Sequence, residues 1–400
     1  MARLDPAPLL DLPGVRPVLA ALPGARIVGG AVRDLLAGRA VSDVDVATPL
    51  LPQTVMERLR AVGLRAIPTG LAHGTVTALA DGGQVEVTTL RRDVETDGRH
   101  AVVAFTEDFE IDAARRDFTI NAMSLGPDGA LYDYFGGVAD LAAGRVRFVG
   151  EPSLRIAEDY LRILRFFRFH LRYGQIPPDA DTATALAAAA PKLATLSAER
   201  LWSETSKILS GSDPRSGLRL MDELGVLAVL LPEAAADWTM RLDRLAEADA
   251  PPDPVLRLAG LIGDPHAADL AARRLKLSKA ERERLVSYLD GPLPALGAPE
   301  TELFQAAADT TMPLPVLRGR SFLRHPPGNA ARAFRAELEK LVPPVFPLQG
   351  RDVVALGLEP GPELGRALRA VRLWWVRRGC LDDAESCRAE LARVVGRFSS

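Results

Sequence analysis

The chain has 400 residues, of which 48% are hydrophobic and 25% are charged, an ordinary globular composition that predicts two to four domains. A formal net charge of -3 excludes a protein that is basic throughout, so any site for a polyanion must be a local patch. The two cysteines, Cys380 and Cys387, fit neither a zinc site nor a disulfide framework, and the sequence has neither a membrane-length apolar run nor a signal-peptide pattern, so it predicts a cytoplasmic protein.

Strand-like and helix-like segments alternate over residues 1 to about 145. A strand in "ARIVGG" turns into a short helix, "AVRDLLAG", and a second strand, "VDVAT", precedes an amphipathic helix, "PQTVMERLRAVG". The segment "GTVTALADGGQVEVTTLR" alternates apolar residues on both sides of Asp81-Gly82-Gly83, which is typical of a hairpin. This part is therefore predicted to carry a mixed β-sheet.

From about residue 150 the pattern becomes helical. The segment "EDYLRILRFFRFHLRYG" predicts one helix that ends at Gly174, and "SAERLWSETSKILSG" predicts another with Ser197 as its N-cap. Proline-rich joints at 249–254, 292–299 and 342–347 separate further helical units. The fold class predicted is α+β, with an N-terminal head on a mixed sheet and an all-α remainder.

Two carboxylates stand together in "SDVDVAT". Asp43 and Asp45 are two residues apart on a predicted strand and share a face, with Val44 turned into the core. Two bare carboxylates at this distance favour a bound cation, and Mg²⁺ suits them because it combines a few carboxylate oxygens with water and substrate phosphates. Glu86, in "VEVTT", is either a third carboxylate over the metal or an exposed strand glutamate; both alternatives stay open.

A glycine pair precedes those carboxylates. Gly29 and Gly30 lie where the first strand turns into a helix, and Arg33 follows one turn into that helix. Glycine lets backbone N–H groups approach an anion, and the helix start adds a positive dipole. Each feature alone fits a plain turn or a solvated strand edge, but in this order they indicate binding of a nucleoside triphosphate with metal.

Five segments in one order carry a family resemblance. They are "GGAVRDLL" with "SDVDVAT", "HGTVTALADGGQVEVTTLR", "DAARRDFTINAMS", "YDYFGGVADLAAGRVRFVG" and "RIAEDYLRILRFFRF", between residues 26 and 170, and "SAERLWSETSKIL" extends them to about 209. Together they resemble the class II tRNA nucleotidyltransferase family, which comprises CCA-adding enzymes and bacterial poly(A) polymerases. The resemblance implies template-independent addition of C, C and A to a tRNA 3′ end from CTP and ATP.

The resemblance also implies roles for individual residues. Asp43 and Asp45 would hold two metal ions, and Gly30 and Arg33 would meet the phosphates. The residues that would meet the sugar and phosphates of the nucleotide are Arg116, Asp117 and Asn121. Phe118 and Ile120, between them, are predicted to be core.

The helix "EDYLRILRFFRF" has a polar stripe that could read a base. C and A carry an exocyclic amino group beside an unprotonated ring nitrogen, whereas U and G carry a keto oxygen beside a protonated one. Asp159 would accept from the amino group and Arg162 would donate to the bare nitrogen, so C and A are accepted. The family assigns the same two positions. Arg165 and Arg168 would then contact the nucleotide phosphates or hold Asp159 in place. The alternative is an ordinary solvated face with salt bridges.

The resemblance divides the chain into four parts. These are a nucleotidyltransferase head at 1–145, a helical neck at 146–210, a helical body at 211–310 and a tRNA-binding tail at 311–400. Residues 311–400 carry 15 Arg and Lys against nine Asp and Glu, which fits contact with a phosphate backbone. The glycines near its predicted helix starts are Gly350, Gly357 and Gly361, and Trp374 and Trp375 are expected to be mostly core.

Alternatives within the family remain. A mobile loop at about 93–112 would govern the switch from C to A addition, so its shortening should abolish only A addition. A poly(A) polymerase shares the head, but the strongly basic terminal extension is missing. An A-adding-only enzyme stays open, whereas a CC-only enzyme and a silent RNA-binding protein are disfavoured by the loop and by the retained aspartates.

Overall fold

The chain folds as two compact units, Met1–Pro232 and Glu233–Ser400. The computed structural model describes residues 3–80, 82–96, 101–308, 313–342 and 344–396, and for 93–96, 101–103 and 313 it describes the backbone alone. The first unit contains the sheet and all the residues predicted to bind the nucleotide. The finer division into head, neck, body and tail stays a prediction.

The N-terminal unit contains all the strands found among the described residues. They are β1 Arg26–Val28, β2 Asp45–Thr48, β3 Arg65–Gly70, β4 Thr75–Ala80, β5 Gly83–Thr89, β6 Arg91–Thr96, β7 Ala101–Phe105, β8 Ser124–Leu125 and β9 Leu131–Tyr132. Seven of them form one mixed sheet in the order β3-β4-β5-β2-β1-β8-β9. β2 pairs with β5 in parallel, and the other neighbours pair antiparallel. The predicted hairpin is β4–β5; Asp81 of its turn lies outside the described residues.

The helices of this unit cover the sheet and continue beyond it. They are α1 Ala7–Leu10, α2 Val15–Ala21, α3 Gly30–Leu36, α4 Pro52–Ala61, α5 Phe109–Ala114, α6 Gly137–Ala142, α7 Pro152–Glu158, α8 Leu161–Tyr173, α9 Ala180–Ala189, α10 Ala198–Leu209, α11 Arg215–Glu223 and α12 Val226–Leu230. Val55 and Leu59 of α4 pack into one core with Val76 of β4 and Val87 of β5. The alternation of buried residues along β4 and β5 puts their polar residues on the other face.

The predicted neck helix is one helix, but it begins at Leu161 rather than at Glu158, and a separate helix, α7, precedes it. α7 ends at Glu158, Asp159 is extended (φ -157°, ψ 107°), and α8 starts at Leu161. The Asp159 carboxylate accepts from the Leu161 N–H at 3.1 Å, so it satisfies a donor that a new helix start leaves open. Sequence periodicity cannot detect a break of two residues that leaves the apolar stripe in phase. α8 does end before Gly174, as predicted.

Of two further predictions, one is confirmed and one needs correction. Ser197 is the N-cap of α10, as predicted, although its side chain makes no capping hydrogen bond. The loop predicted at 93–112 contains regular structure, because β6 and β7 pair antiparallel and α5 follows, with Asp108 as its N-cap. β-branched residues in "AVVAF" explain the second strand. Residues 97–100 of this segment lie outside the described residues.

Among the described residues of the C-terminal unit, helices are the only regular secondary structure. Its helices are α13 Trp238–Glu247, α14 Pro254–Ile262, α15 Pro265–Arg274, α16 Lys279–Leu289, α17 Glu300–Ala308, α18 Pro313–Arg324, α19 Asn329–Lys340, α20 Gly350–Val354, α21 Pro362–Arg377 and α22 Ala384–Gly396. Trp375 is buried and Trp374 half-buried, as expected. Cys380 and Cys387 are buried free thiols. Across the described parts of both units, none of the helices has the length and hydropathy to cross a membrane.

Candidate active site

A cavity of about 630 Å³ opens within the N-terminal unit. Its walls come from β1, β2, β4, β5, the start of β6, α3, α8 and α10, together with the segments that precede α8 and follow α5. The predicted site residues that line it are Gly29, Gly30, Arg33, Asp45, Glu86, Arg116, Asp117, Asn121, Asp159, Arg162 and Arg165. Of the predicted residues, Asp43 and Arg168 lie outside this lining.

The turn between β1 and α3 requires glycine. Gly29 has φ +67°, which L side chains rarely adopt. A Cβ at this position would lie 2.8 Å from Nη1 of Arg116. Arg116 in turn donates to the backbone carbonyl of Asn121 at 3.3 Å. The glycine therefore lets a guanidinium pack directly against the turn.

An acidic edge lies on the neighbouring strands. Asp43 precedes β2, Asp45 begins it, and Glu86 of β5 is opposite Asp45 in the parallel register. Desolvation, together with the charge of Asp43, raises the pKa of Asp45 above its ordinary value, against the opposing charge of Arg116. Desolvation and the charge of Asp45 likewise raise the pKa of Glu86. Mutual repulsion of this kind is relieved by a cation.

No ready-made metal cage surrounds these carboxylates. Within the described ranges there is no cluster of three or more His, Cys, Asp or Glu side chains that could hold a metal ion. Asp43 accepts only from Ser42 Oγ, at 2.9 Å, among the hydrogen bonds resolved for its side chain. An incomplete oxygen set suits a hard cation that keeps water and takes substrate phosphates as ligands.

Asp117 is the centre of a buried polar network. Its carboxylate accepts from Arg165 Nε at 2.8 Å, from Asn121 Nδ2 at 3.0 Å and from the Phe118 N–H at 2.9 Å. Burial by itself would raise the pKa of Asp117, but the charge of Arg165 and these hydrogen bonds outweigh it and hold the pKa below its ordinary value. Phe118 and Ile120 are fully buried, as predicted.

The two candidate base-reading residues are held separately. Arg200 Nη2, from α10, donates to both oxygens of Asp159 at 2.9 and 2.8 Å. Arg162 donates to Glu158 at 2.6 Å and to the carbonyls of Arg155 and Arg115 at 2.9 and 3.0 Å. These hydrogen bonds thus fix the positions of both side chains.

The partners of the next two arginines differ from the prediction. Asp159 is held by Arg200, whereas Arg165 pairs with Asp117. Arg168 pairs with the buried Glu204 of α10 at 2.7 Å. Holding Asp159 was one of the two roles predicted for Arg165 and Arg168. Arg200, which the sequence analysis did not single out, fills that role instead. "SAERLW" was part of the resemblance, but no spacing in the sequence connects its arginine with an aspartate 41 residues earlier.

Other residues that line the cavity were not predicted from the sequence. They are Thr75, Thr88, Arg91, Arg115 and Phe169. Arg115 was adjacent to a predicted residue, but the threonines and the phenylalanine carry no signal beyond strand and helix periodicity. With them the cavity combines an acidic edge on the sheet with a wall of guanidinium groups, a distribution that suits a metal-bound polyphosphate.

Two family models match the chain. One, described as the poly A polymerase head domain, matches residues 25–147. The other, described as the probable RNA and SrmB-binding site of polymerase A, matches residues 177–237.

Whole-length relatives are similar as well. The mitochondrial CCA tRNA nucleotidyltransferase 1 of Mus musculus is 39% identical over 369 residues, covering 88% of this chain and 83% of the relative. A CCA-adding enzyme of Leuconostoc mesenteroides is 30% identical, covering 90% of each chain. The crystal structure of the Bacillus stearothermophilus CCA-adding enzyme in complex with CTP superposes with a TM-score of 0.73 at 29% identity, over 96% of this chain and 98% of that one.

Proposed function

Because the chain belongs to the family of CCA-adding tRNA nucleotidyltransferases, we propose that it adds C, C and A to the 3′ end of tRNA from CTP and ATP, without a nucleic-acid template, and releases pyrophosphate. The observation that carries the proposal is the shared cavity. A carboxylate edge, a guanidinium wall and the Asp159–Arg162 pair line one space, so phosphates and base can be bound at the same time. A volume of about 630 Å³ is within the range of small-molecule sites.

The family implies a divalent metal ion, and we propose that this ion is Mg²⁺. Asp43 and Asp45 are the proposed ligands, with Glu86 as a third carboxylate beside them. Burial, with a smaller contribution from the charge of Asp43, raises the pKa of Asp45, and this supports the choice because a bound cation would compensate a desolvated carboxylate charge. When bound, a pair of Mg²⁺ ions would promote deprotonation of the tRNA 3′-hydroxyl and neutralise charge on the triphosphate.

The phosphate and sugar contacts are assigned to the head. Gly30, Arg33 and Arg116 would bind the phosphates, and Asp117 and Asn121 would orient the ribose. The buried hydrogen bonds of Asp117 support a fixed position for this pair. The 3′-hydroxyl oxygen then attacks the α-phosphorus, the bond to the β-phosphate oxygen breaks, and pyrophosphate leaves with the electron pair.

Base selection is assigned to the neck. The Asp159 carboxylate accepts from the exocyclic amino group of C or A, and Arg162 donates to the adjacent bare ring nitrogen. U and G present a carbonyl to Asp159 and an N–H to Arg162, which leaves charged groups unpaired. Arg200, which bonds Asp159, supports the role by fixing that carboxylate. Arg165 completes the cationic side of this wall, whereas Arg168 lies outside the cavity lining and pairs with Glu204.

Two further assignments concern the whole chain. We propose that the basic segment 311–400 contacts the tRNA backbone. We also propose that the enzyme works in a reducing compartment such as the cytoplasm, which its two buried free cysteines support; the mouse relative is named mitochondrial.

The test is extension of a tRNA that ends at the discriminator base. Purified protein with Mg²⁺ is offered each of the four NTPs alone and then CTP with ATP, and the 3′ ends are sequenced. Addition of CCA with refusal of UTP and GTP is expected. Long A tails on varied RNAs would identify a poly(A) polymerase instead, and a single A added only to tRNA ending in CC would identify an A-adding enzyme.

A further inference from the structure

The last residue of α8 contacts the helix that carries the proposed phosphate ligand. Tyr173 is 7% exposed, and its hydroxyl donates to Oδ1 of Asp34 in α3. The guanidinium carbon of Arg33 lies 4.5 Å above the Tyr173 ring and 5.0 Å from the Phe169 ring. One neck side chain therefore contacts both members of an Arg-Asp pair on the head.

Asp34 in turn fixes the orientation of Arg33. Arg33 Nε donates to Oδ1 of Asp34 and Nη2 donates to Oδ2, both at 3.1 Å. Nη1 donates to Oδ1 of Asn121 at 2.5 Å. A guanidinium has five N–H groups, and these bonds use one at each nitrogen. Each terminal nitrogen therefore retains an N–H that can meet a phosphate oxygen.

The charges around Asp34 favour this arrangement. Burial would raise the pKa of Asp34, but the bonds from Arg33 and Tyr173 and the charge of Arg172 outweigh it and hold the pKa below its ordinary value. Burial, and then the bond to that carboxylate, raises the pKa of Tyr173. The pair therefore stays a neutral donor and an ionised acceptor at neutral pH. Arg39 donates to the carbonyl of Arg172 at 2.8 Å, a second bond between the same two segments.

We propose that Tyr173 is a positioning residue: through Asp34 it sets the orientation of Arg33, so that the neck helix controls triphosphate binding in the head. The inference rests on the proposed function, in which Arg33 meets the phosphates. It goes further because Tyr173 is not among the residues that line the cavity. The same Arg33 serves every nucleotide, so Tyr173 should affect affinity for CTP and ATP alike and leave base selection unchanged.

The decisive variant is Tyr173→Phe, which keeps the ring beneath Arg33 and removes only the hydroxyl. We expect KM for CTP and for ATP to rise by the same factor, about three- to tenfold, with kcat within about twofold, because an interaction common to ground and transition states is weakened. The ratio of kcat/KM for CTP over UTP should not change. Asp34→Asn should produce a similar rise, and the double variant should be less than additive because both changes act on one contact chain.

A matched control exists in the other unit. Tyr288 is also buried, at 3% exposed, and donates to Asp253 at 3.3 Å, so Tyr288→Phe removes the same kind of hydroxyl–carboxylate bond at a residue that does not line the cavity. It should lower stability without changing KM for either nucleotide. If Tyr173→Phe behaves like this control, Tyr173 is merely structural and the inference is overturned. A fall in kcat at unchanged KM would overturn it as well.

Calorimetric titration separates this inference from the proposed function. The Kd of CTP with Mg²⁺, and of inorganic triphosphate with Mg²⁺, is measured for wild type, Tyr173→Phe and Tyr288→Phe without tRNA. Both Kd values should rise by the KM factor in Tyr173→Phe alone. If wild type binds CTP but extends no tRNA, the proposed function fails while the Kd comparison still decides on Tyr173. A wild-type protein that binds neither ligand would contradict both.

Discussion

Replacement of Asp117 by asparagine should destabilise the N-terminal unit more than any exposed charge change. The variant keeps the size of the side chain and one oxygen that can accept from the Phe118 N–H. It removes the charge that Arg165 faces and places an amide N–H₂ against a guanidinium. Asp117 is 7% exposed, so water cannot take over the lost interaction.

The magnitude follows from the burial of the two partners. Removing one member of a fully buried ion pair costs about 3–5 kcal/mol. The Arg165 side chain is 33% exposed and can turn towards water, so we expect the lower end, about 3 kcal/mol, or a change of about two orders of magnitude in the unfolding equilibrium. A matched control is Asp11→Asn: Asp11 pairs with Arg16 at 2.5 Å, but the two side chains are 67% and 61% exposed, and the expected cost is below about 0.5 kcal/mol.

The assay must resolve the two units, because one signal from the whole chain would mix their transitions. Pulsed hydrogen exchange across a urea titration, read by mass spectrometry on peptides of α8, reports the N-terminal unit alone. Peptides of α14 report the other unit and should show an unchanged midpoint. A loss below about 0.5 kcal/mol in Asp117→Asn would refute the reasoning, since the pair would then be contributing no more than an exposed one.

Further predictions concern the turn, the pH and the C-terminal unit. Gly29→Ala should sharply lower CTP affinity and tRNA extension, because the new Cβ would lie 2.8 Å from the Arg116 guanidinium. Gly38 has a similar φ of +64° but open space around it, so the control Gly38→Ala should cost only about 1 kcal/mol of stability. Equal activity in the two variants would contradict this. The folded-state pKa of Asp117 lies below its ordinary value of 3.8. The stabilisation that Asp117 provides is therefore complete above pH 3.8 and lost as the pH falls through the lower, folded-state pKa. Acid unfolding of the wild-type protein should include this proton uptake, and acid unfolding of Asp117→Asn should not. Arg320→Lys should destabilise the C-terminal unit by about 2 kcal/mol, because the buried Arg320 donates to two backbone carbonyls at 2.7 and 2.9 Å, and KM for CTP should stay at the wild-type value.

The sequence could predict the head in some detail because its signals are local. Glycines before a helix, alternation around a tight turn and aspartates two apart on a strand each depend on neighbours within a few residues. The hairpin β4–β5, the helix α4 and the mixed sheet were predicted for this reason. The break between α7 and α8 could not be predicted, because it depends on an extended Asp159 whose carboxylate satisfies the next helix start.

The candidate site likewise has features that the sequence predicted and features that only the tertiary structure decided. Residue types and their order in the sequence indicated a metal-bound triphosphate and a base-reading pair, and they indicated the family. Which guanidinium holds which carboxylate was decided only in three dimensions: Arg200 reaches Asp159 across 41 residues, Arg165 reaches Asp117 across 48, and Tyr173 reaches Asp34 across 139. An arginine can pair with any acid that folding brings near, so the sequence determined which groups are available, and the packing of α8 against the head and α10 decided their partners.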